Sequence, residues 1–127
     1  MKSYKPDGYN SVSVYIMADD AQRVVDFLVA VFGATESRRF DNADGTIMHT
    51  EVKIDDTVVM LASAGGDFPA FPVWLHVYVA DVEAVYRKAL DLGAVSVQEP
   101  TQKDGDPDRR GGFMDPAGNT WWVATQL

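Results

Sequence analysis

The 127-residue chain has no cysteine, which excludes disulfides and thiolate metal sites and leaves the redox compartment open. Positive charge is scarce: 11 Lys and Arg stand against 19 Asp and Glu, for a formal net charge of −8. Its Arg-Arg pairs, Arg38-Arg39 and Arg109-Arg110, fall short of the clustered basic surface that phosphate-backbone binding needs, so nucleic acid is not an expected partner. There is no run of about 18 apolar residues and no apolar signal core near the start, so no membrane partner is expected and a cytoplasmic location is the default. No phosphate loop, nucleophile elbow or dinucleotide fingerprint is present, and no cofactor is expected. Only two histidines occur, His49 and His76. What remains is a 46% hydrophobic, 24% charged chain, the composition of an ordinary soluble globular domain large enough to bury a core.

The pattern along the chain is written twice. Residues 9–17 alternate as a half-buried strand, and Asp19-Asp20 caps a helix with Ala21, Val24, Val25, Leu28, Val31 and Phe32 on one stripe. Gly33 closes it as a left-handed C′ residue. Three strands follow, near 34–40, 46–54 and 57–63, divided by Asp/Asn/Gly turns. After a Gly/Pro-rich connector, 64–72, the order recurs. A strand at 74–79 leads to Asp81 and a helix carrying Val82, Val85, Tyr86, Ala89 and Leu90; Gly93 ends it, and strands follow near 94–99, 109–114 and 120–126. The repeat pairs Ser13 with Trp74, Tyr15 with His76, and Met60-Leu61-Ala62 with Trp122-Val123-Ala124. This predicts an α+β fold: one domain over 1–127 with two tandem βαβββ modules, about 9–63 and 73–127, forming a curved, cleft-bearing mixed sheet with the helices outside.

Strand alternation separates two faces. Val12, Val14, Ile16, Met48, Val52, Ile54, Leu75, Val77, Val79, Trp121 and Val123 form a uniformly apolar face that should cover the helices. The other face is mixed, with Ser13, Tyr15, Met17, His49, Glu51, Lys53, Met60, Trp74, His76, Tyr78 and Trp122. Aromatics with a few polar groups suit a small-molecule pocket, or a surface packed against a second subunit.

These features resemble the vicinal oxygen chelate superfamily, which includes glyoxalase I, extradiol dioxygenases and bleomycin-resistance proteins. The resemblance rests on the paired modules, Gly-Ala after the first helix, Asp-Val opening the second, and Asp-Pro-Ala-Gly-Asn-Thr-Trp at 115–121. Gly45-Thr46-Ile47-Met48-His49-Thr50-Glu51, Leu75 to Val79, and Arg109 six residues before Asp115 look like the PhnB-like branch. The superfamily's metal positions fall on Ser13, Met60, Trp74 and Trp122. A hydroxyl, a thioether and two indoles cannot supply the imidazole, carboxylate or thiolate donors that a divalent transition metal needs, so no metal residues are assigned. Asn119 and Gln126 also stand where the PhnB-like pattern often has His.

Within this frame Tyr15, Met60, Trp74, Trp122 and Arg109 are candidate ligand-binding residues, and His76 and His49 candidate catalytic ones. Each has a plainer reading. A strand histidine can be structural, and His49 with Glu51 can be an orienting pair or a solvated strand edge. Arg109 and Arg110 can clamp an anion or pair with Asp104, Asp106 or Asp108. The two tryptophans can stack a planar or cationic ligand or fill core. The expected function is metal-independent binding of such a compound, similar to antibiotic-sequestering members. The alternatives are a lyase- or isomerase-type enzyme using His76 or His49 with Arg109 as anion clamp, and a structural dimer. The resemblance also implies a homodimer, which would cover strand edges.

Overall fold

In each half of the chain an aspartate turns a strand into a helix. Asp20 accepts a hydrogen bond from the Arg23 backbone N–H at 3.2 Å, and Asp81 from that of Ala84 at 3.1 Å. Each thereby satisfies an N–H that the first turn leaves without a partner. The first helix stops at Gly33, whose φ of 66° is left-handed and whose N–H returns to the Val29 carbonyl at 3.0 Å. The structure, a computed structural model, describes residues 3–127. It falls into two units, one ending at Phe71 and the other spanning Pro72–Leu127.

The first unit holds β1 (Val14–Ala18), α1 (Ala21–Phe32), β2 (Thr35–Asp41), β3 (Ile47–Ile54) and β4 (Thr57–Ser63). The second holds β5 (Trp74–Tyr78), α2 (Val82–Asp91), β6 (Val95–Thr101), β7 (Asp108–Met114) and β8 (Thr120–Gln126). The sheets have orders β1-β4-β3-β2 and β5-β8-β7-β6, with β1–β4 and β5–β8 parallel and the remaining pairs antiparallel. The modules are therefore the same βαβββ design twice. Register agrees as well: Tyr15 lies beside Met60, and His76, its repeat partner, lies beside Trp122.

One face of each sheet is buried against its helix. In the first unit Ile16, Val52, Leu61, Val24 and Leu28 are fully buried; in the second Phe113, Trp121, Val123 and Ala89 are. Burying each large apolar side chain contributes about 1.5–3 kcal/mol.

Three assignments to the apolar face do not hold. Val12 is 86% exposed because it precedes β1 and has no sheet partner among the described residues, and Val14, the first residue of the strand, is also exposed. Met48 is 53% exposed while Ile47 is buried at 1%. The cause is a bulge: Phe40 pairs with His49 but Asp41 pairs with Ile47, so Met48 is an extra residue in β3. It breaks the alternation and sends Ile47 to the core instead.

The Asp115–Trp121 segment is a polar staple. Asp115 Oδ1 accepts from the backbone N–H of Ala117 (2.8 Å) and of Asn119 (3.1 Å), and Oδ2 accepts from Asn119 Nδ2 (3.0 Å) and Trp121 Nε1 (2.8 Å). Asn119 Oδ1 in turn accepts from the Val73 N–H at 2.9 Å, tying the approach to β5 to the start of β8. The motif that carries the family resemblance thus holds the second sheet together, and Asn119 serves this staple.

Candidate functional site

In the first unit, the face of the sheet opposite α1 carries Tyr15, Met17, His49, Glu51 and Met60. The connector folds back over one end of it, where Phe71 bridges to Met17 and Phe68 bridges to Gly65. The result is a pocket of about 770 Å³ walled by Tyr15, Met17, Met48, Phe68 and Phe71. Asn42, Asp44 and Thr46 add polar groups, and among the described residues no Lys, Arg or His lines it. Asp44 accepts from the Thr46 hydroxyl and backbone N–H, bonds that hold its carboxyl below the usual carboxylate range. The pocket is therefore apolar and aromatic, with one negative charge at its margin.

Beside it runs a continuous hydrogen-bonded chain. Tyr15 Oη meets His49 Nδ1 at 2.8 Å, and His49 Nε2 meets Glu51 Oε2 at 2.8 Å. Tyr9 donates its hydroxyl to Glu51 Oε1. Glu51 is 2% exposed; burial alone would raise its pKa, but the bonds from His49 and Tyr9 and the nearby positive charges outweigh that and hold it low. The Tyr9 hydroxyl is pushed up by its bond to Glu51, and that of Tyr15 by burial and then by the Glu51 charge. Bulges in the β2–β3 pairing fall on both sides of His49, and Arg38 within one of them has φ 48° and lays its guanidinium 5.2 Å from the Tyr9 ring. Such departures from a regular ladder re-aim side chains.

Ser13 and Met60, two of the superfamily's metal positions, line a smaller pocket of about 360 Å³ together with Tyr9 and Arg38. A hydroxyl and a thioether there, and two indoles in the second unit, do not fit a divalent transition metal. Among the described residues no group of three or more His, Cys, Asp or Glu could hold a metal ion.

In the second unit Trp74, His76 and Tyr78 share a face with Trp122. The Trp74 and Trp122 rings meet edge to face at 5.5 Å, and His76 and Tyr78 at 5.0 Å. Trp74 is 76% exposed and so is not core filler. Trp122 lies over Gly112, where a Cβ would come within 2.7 Å of its ring. His76 Nε2 accepts from Arg110 Nε at 3.1 Å, and Arg110 also binds Asp106 (2.6 Å) and Asp108 (2.9 Å). Arg109 points the other way. It bonds to Glu83 on α2 and to the Pro100 carbonyl at 3.0 Å. The register explains this: Arg110, paired with Ala124, falls on the face of Tyr78 and Trp122, whereas Arg109 falls on the helix side. The structure thus brings Tyr15, His49 and Met60 together in one unit and Trp74, His76 and Trp122 in the other, and leaves Arg109 off both faces.

Burial, and then the Arg110 charge, lower the His76 pKa below its ordinary value of 6.5. Its NMR titration is expected below that value. Because the unfolded chain takes up this proton first, the contribution to stability is complete above pH 6.5 and is lost as pH falls toward the lowered folded value. Denaturant unfolding across this interval, compared with His76→Gln, checks the sign; stability that rises on acidification only when His76 is present would contradict it.

Tyr9, Phe68 and Phe71 are members of these sites that reading the sequence did not assign, whereas Glu51 beside His49 and Arg110 beside Asp106 and Asp108 stand in pairings that it had considered. Two phenylalanines in a Gly/Pro-rich connector were a usable signal. The Tyr9–Glu51 bond, 42 residues apart, had none.

A family model described as the Glyoxalase/Bleomycin resistance protein/Dioxygenase superfamily matches residues 10–123. A protein of Mycobacterium bovis, itself uncharacterised, is 32% identical over 126 residues, with 87% of this chain and 80% of that relative covered. Among solved structures, TioX from Micromonospora sp. ML1 superposes with a TM-score of 0.78 at 27% identity, covering 93% of this chain and 99% of that one. TnmS3, an antibiotic binding protein from Streptomyces sp. CB03234, superposes with a TM-score of 0.71 at 20% identity, covering 94% and 100%; the latter likeness speaks for the fold alone.

Proposed function

We propose, from the premise that this chain belongs to the Glyoxalase/Bleomycin resistance protein/Dioxygenase superfamily, that it is a metal-independent small-molecule binding protein whose ligand is planar and neutral or cationic. The observation that carries this reading is the first-unit pocket, about 770 Å³ with aromatic and thioether walls and Asp44 as the one charged group among its described lining residues. Its volume suits a drug-sized ligand. Aromatic rings and polarizable sulfurs suit a flat apolar body, and the carboxylate disfavours anions. The donor chemistry of Ser13, Met60, Trp74 and Trp122 supports metal independence. Trp74 and Trp122 add a second flat surface on their own unit. That an antibiotic binding protein shares the fold makes flat antibiotics a sensible first panel.

Acid–base catalysis at His76 with Arg109 draws less support, since the accepting nitrogen of His76 is taken by Arg110 and Arg109 is bonded to Glu83. A homodimer belongs to the proposal as well: each sheet ends on two edge strands, β1 and β2 or β5 and β6, whose outward backbone groups, apart from the Met17–Phe71 bridge on β1, a second chain can cover.

The test is a thermal-shift and calorimetric screen of flat aromatic antibiotics, uncharged, cationic and anionic. Saturable stabilisation by neutral or cationic members is expected, rising with ligand concentration as mass action requires, and Phe71→Ala should weaken it by about tenfold. No saturable binding across the panel, or near-stoichiometric metal in the purified protein, would overturn the reading.

A further inference from the structure

The hydrogen-bonded chain beside the pocket has a direction, and that direction selects a class of ligand. A buried carboxylate can only accept, so Glu51 requires His49 Nε2 to be the donor. While the imidazole is neutral, the other nitrogen, Nδ1, is then an acceptor. It lies 2.8 Å from Tyr15 Oη, and the only proton available between them belongs to the phenol. Tyr15 therefore donates toward His49, and its hydroxyl proton is no longer free to turn elsewhere. Its oxygen lone pairs remain, on a ring that forms part of the pocket wall.

We propose that Tyr15 is an oriented hydrogen-bond acceptor in the pocket, with its polarity set by His49 and Glu51, and that the pocket's ligand carries a matching donor, a hydroxyl or a protonated amine, on its flat body. This rests on the reading of the pocket as a ligand site and adds the chemistry of its polar anchor. The order hydroxyl, imidazole, carboxylate is the one in which a carboxylate fixes the tautomer of a histidine and the histidine orients an oxygen. Here it is anchored at the far end by Tyr9, which donates to the second carboxylate oxygen and helps to hold Glu51 against His49. The bonds from His49 and Tyr9, and to a smaller extent the charge of Arg38 over the Tyr9 ring, keep Glu51 ionised. Asp44, on the margin of the same pocket and committed to Thr46, favours the same ligand sign. His49 and Glu51 act through Tyr15 and are positioning residues.

The experiment uses a matched pair of neutral probes, β-naphthol and its methyl ether. They share a flat body, but only the first can donate a hydrogen bond. Fluorescence titration of the full chain is expected to show both binding, with β-naphthol tighter by roughly three- to tenfold, the range of one neutral hydrogen bond. Tyr15→Phe should leave the affinity for the ether in place and remove the preference. Glu51→Gln lets an amide N–H face His49 Nε2, which permits the opposite tautomer, so the preference should fall toward one while methyl-ether binding persists. Nitrogen NMR of the wild-type His49 ring at mildly alkaline pH, which does not depend on any variant folding, should show Nε2 protonated and Nδ1 bare. Equal binding of both probes by the wild type leaves the pocket reading standing and overturns the oriented acceptor. His49 protonated on Nδ1 overturns it too, as does a preference that survives Tyr15→Phe. If neither probe saturates, the pocket reading fails and takes the acceptor with it.

Discussion

Asp115→Ala is expected to destabilise the protein by about 3–5 kcal/mol, since it strands several buried donors at about 1–3 kcal/mol each before partial relief by water. Asn119 Nδ2, the Asn119 N–H and Trp121 Nε1 all lose their acceptor, and Asn119 and Trp121 are almost wholly buried. The damage should spread, because Asn119 also holds the Val73 N–H and Trp121 lies in the core of the second unit. In a thermal melt this corresponds to a fall of roughly 10–20 °C for a chain of this size. Asp115→Asn offers a graded comparison. Its oxygen can still accept from the two backbone N–H groups, but its amide confronts Asn119 Nδ2 and Trp121 Nε1, so an intermediate loss is expected. A loss below about 1 kcal/mol for Asp115→Ala would show that the staple does not carry the weight assigned to it. The result bears on function as well. A segment that reads as a family signature here fastens β8 to the approach to β5, and so positions Trp74 and Trp122 without itself meeting a ligand.

Gly112→Val should have the second largest effect, about 1–3 kcal/mol, as overpacking against a rigid neighbour. A Cβ at Gly112 would stand 2.7 Å from Cε3 and 2.8 Å from Cζ3 of Trp122, distances that no side chain tolerates. The Trp122 ring must swing away, and its edge-to-face contact with Trp74 at 5.5 Å goes with it. Near-ultraviolet circular dichroism should therefore lose the signal of the coupled indoles even where the fold survives. A double-mutant cycle isolates the cause: in a Trp122→Ala background the same glycine substitution should cost little, and the difference is the coupling between the two positions. Equal cost in both backgrounds would place the strain elsewhere. Gly112 is thus the reason that a tryptophan can lie flat on this sheet face.

The boundaries of both helices were readable because their signals are local. Asp20 and Asp81 cap within three residues, Gly33 and Gly93 end the helices with positive φ, and the apolar stripes repeat at helical spacing. Strand faces were readable wherever the ladder is regular, which is why Tyr15, Met60, Trp74, His76 and Trp122 sit in the rows that alternation assigns them. Alternation failed at Met48, where a bulge between two non-local strands inserts one residue. The choice between Arg109 and Arg110 failed for a related reason. Only the pairing of β7 with β8 says which of two adjacent arginines shares a face with Trp122.

The sequence by itself determined the duplicated βαβββ fold, the superfamily, and the donor chemistry of Ser13, Met60, Trp74 and Trp122, because these depend on residue type, order and short-range spacing. Tertiary structure alone decided which polar groups meet. Tyr15 reaches His49 across 34 residues and Tyr9 reaches Glu51 across 42. Phe68 and Phe71 wall the pocket only because the connector folds back onto β1. A hydrogen bond needs its partners within about 3 Å and aligned, and no periodicity along a chain encodes a distance between residues so far apart in it.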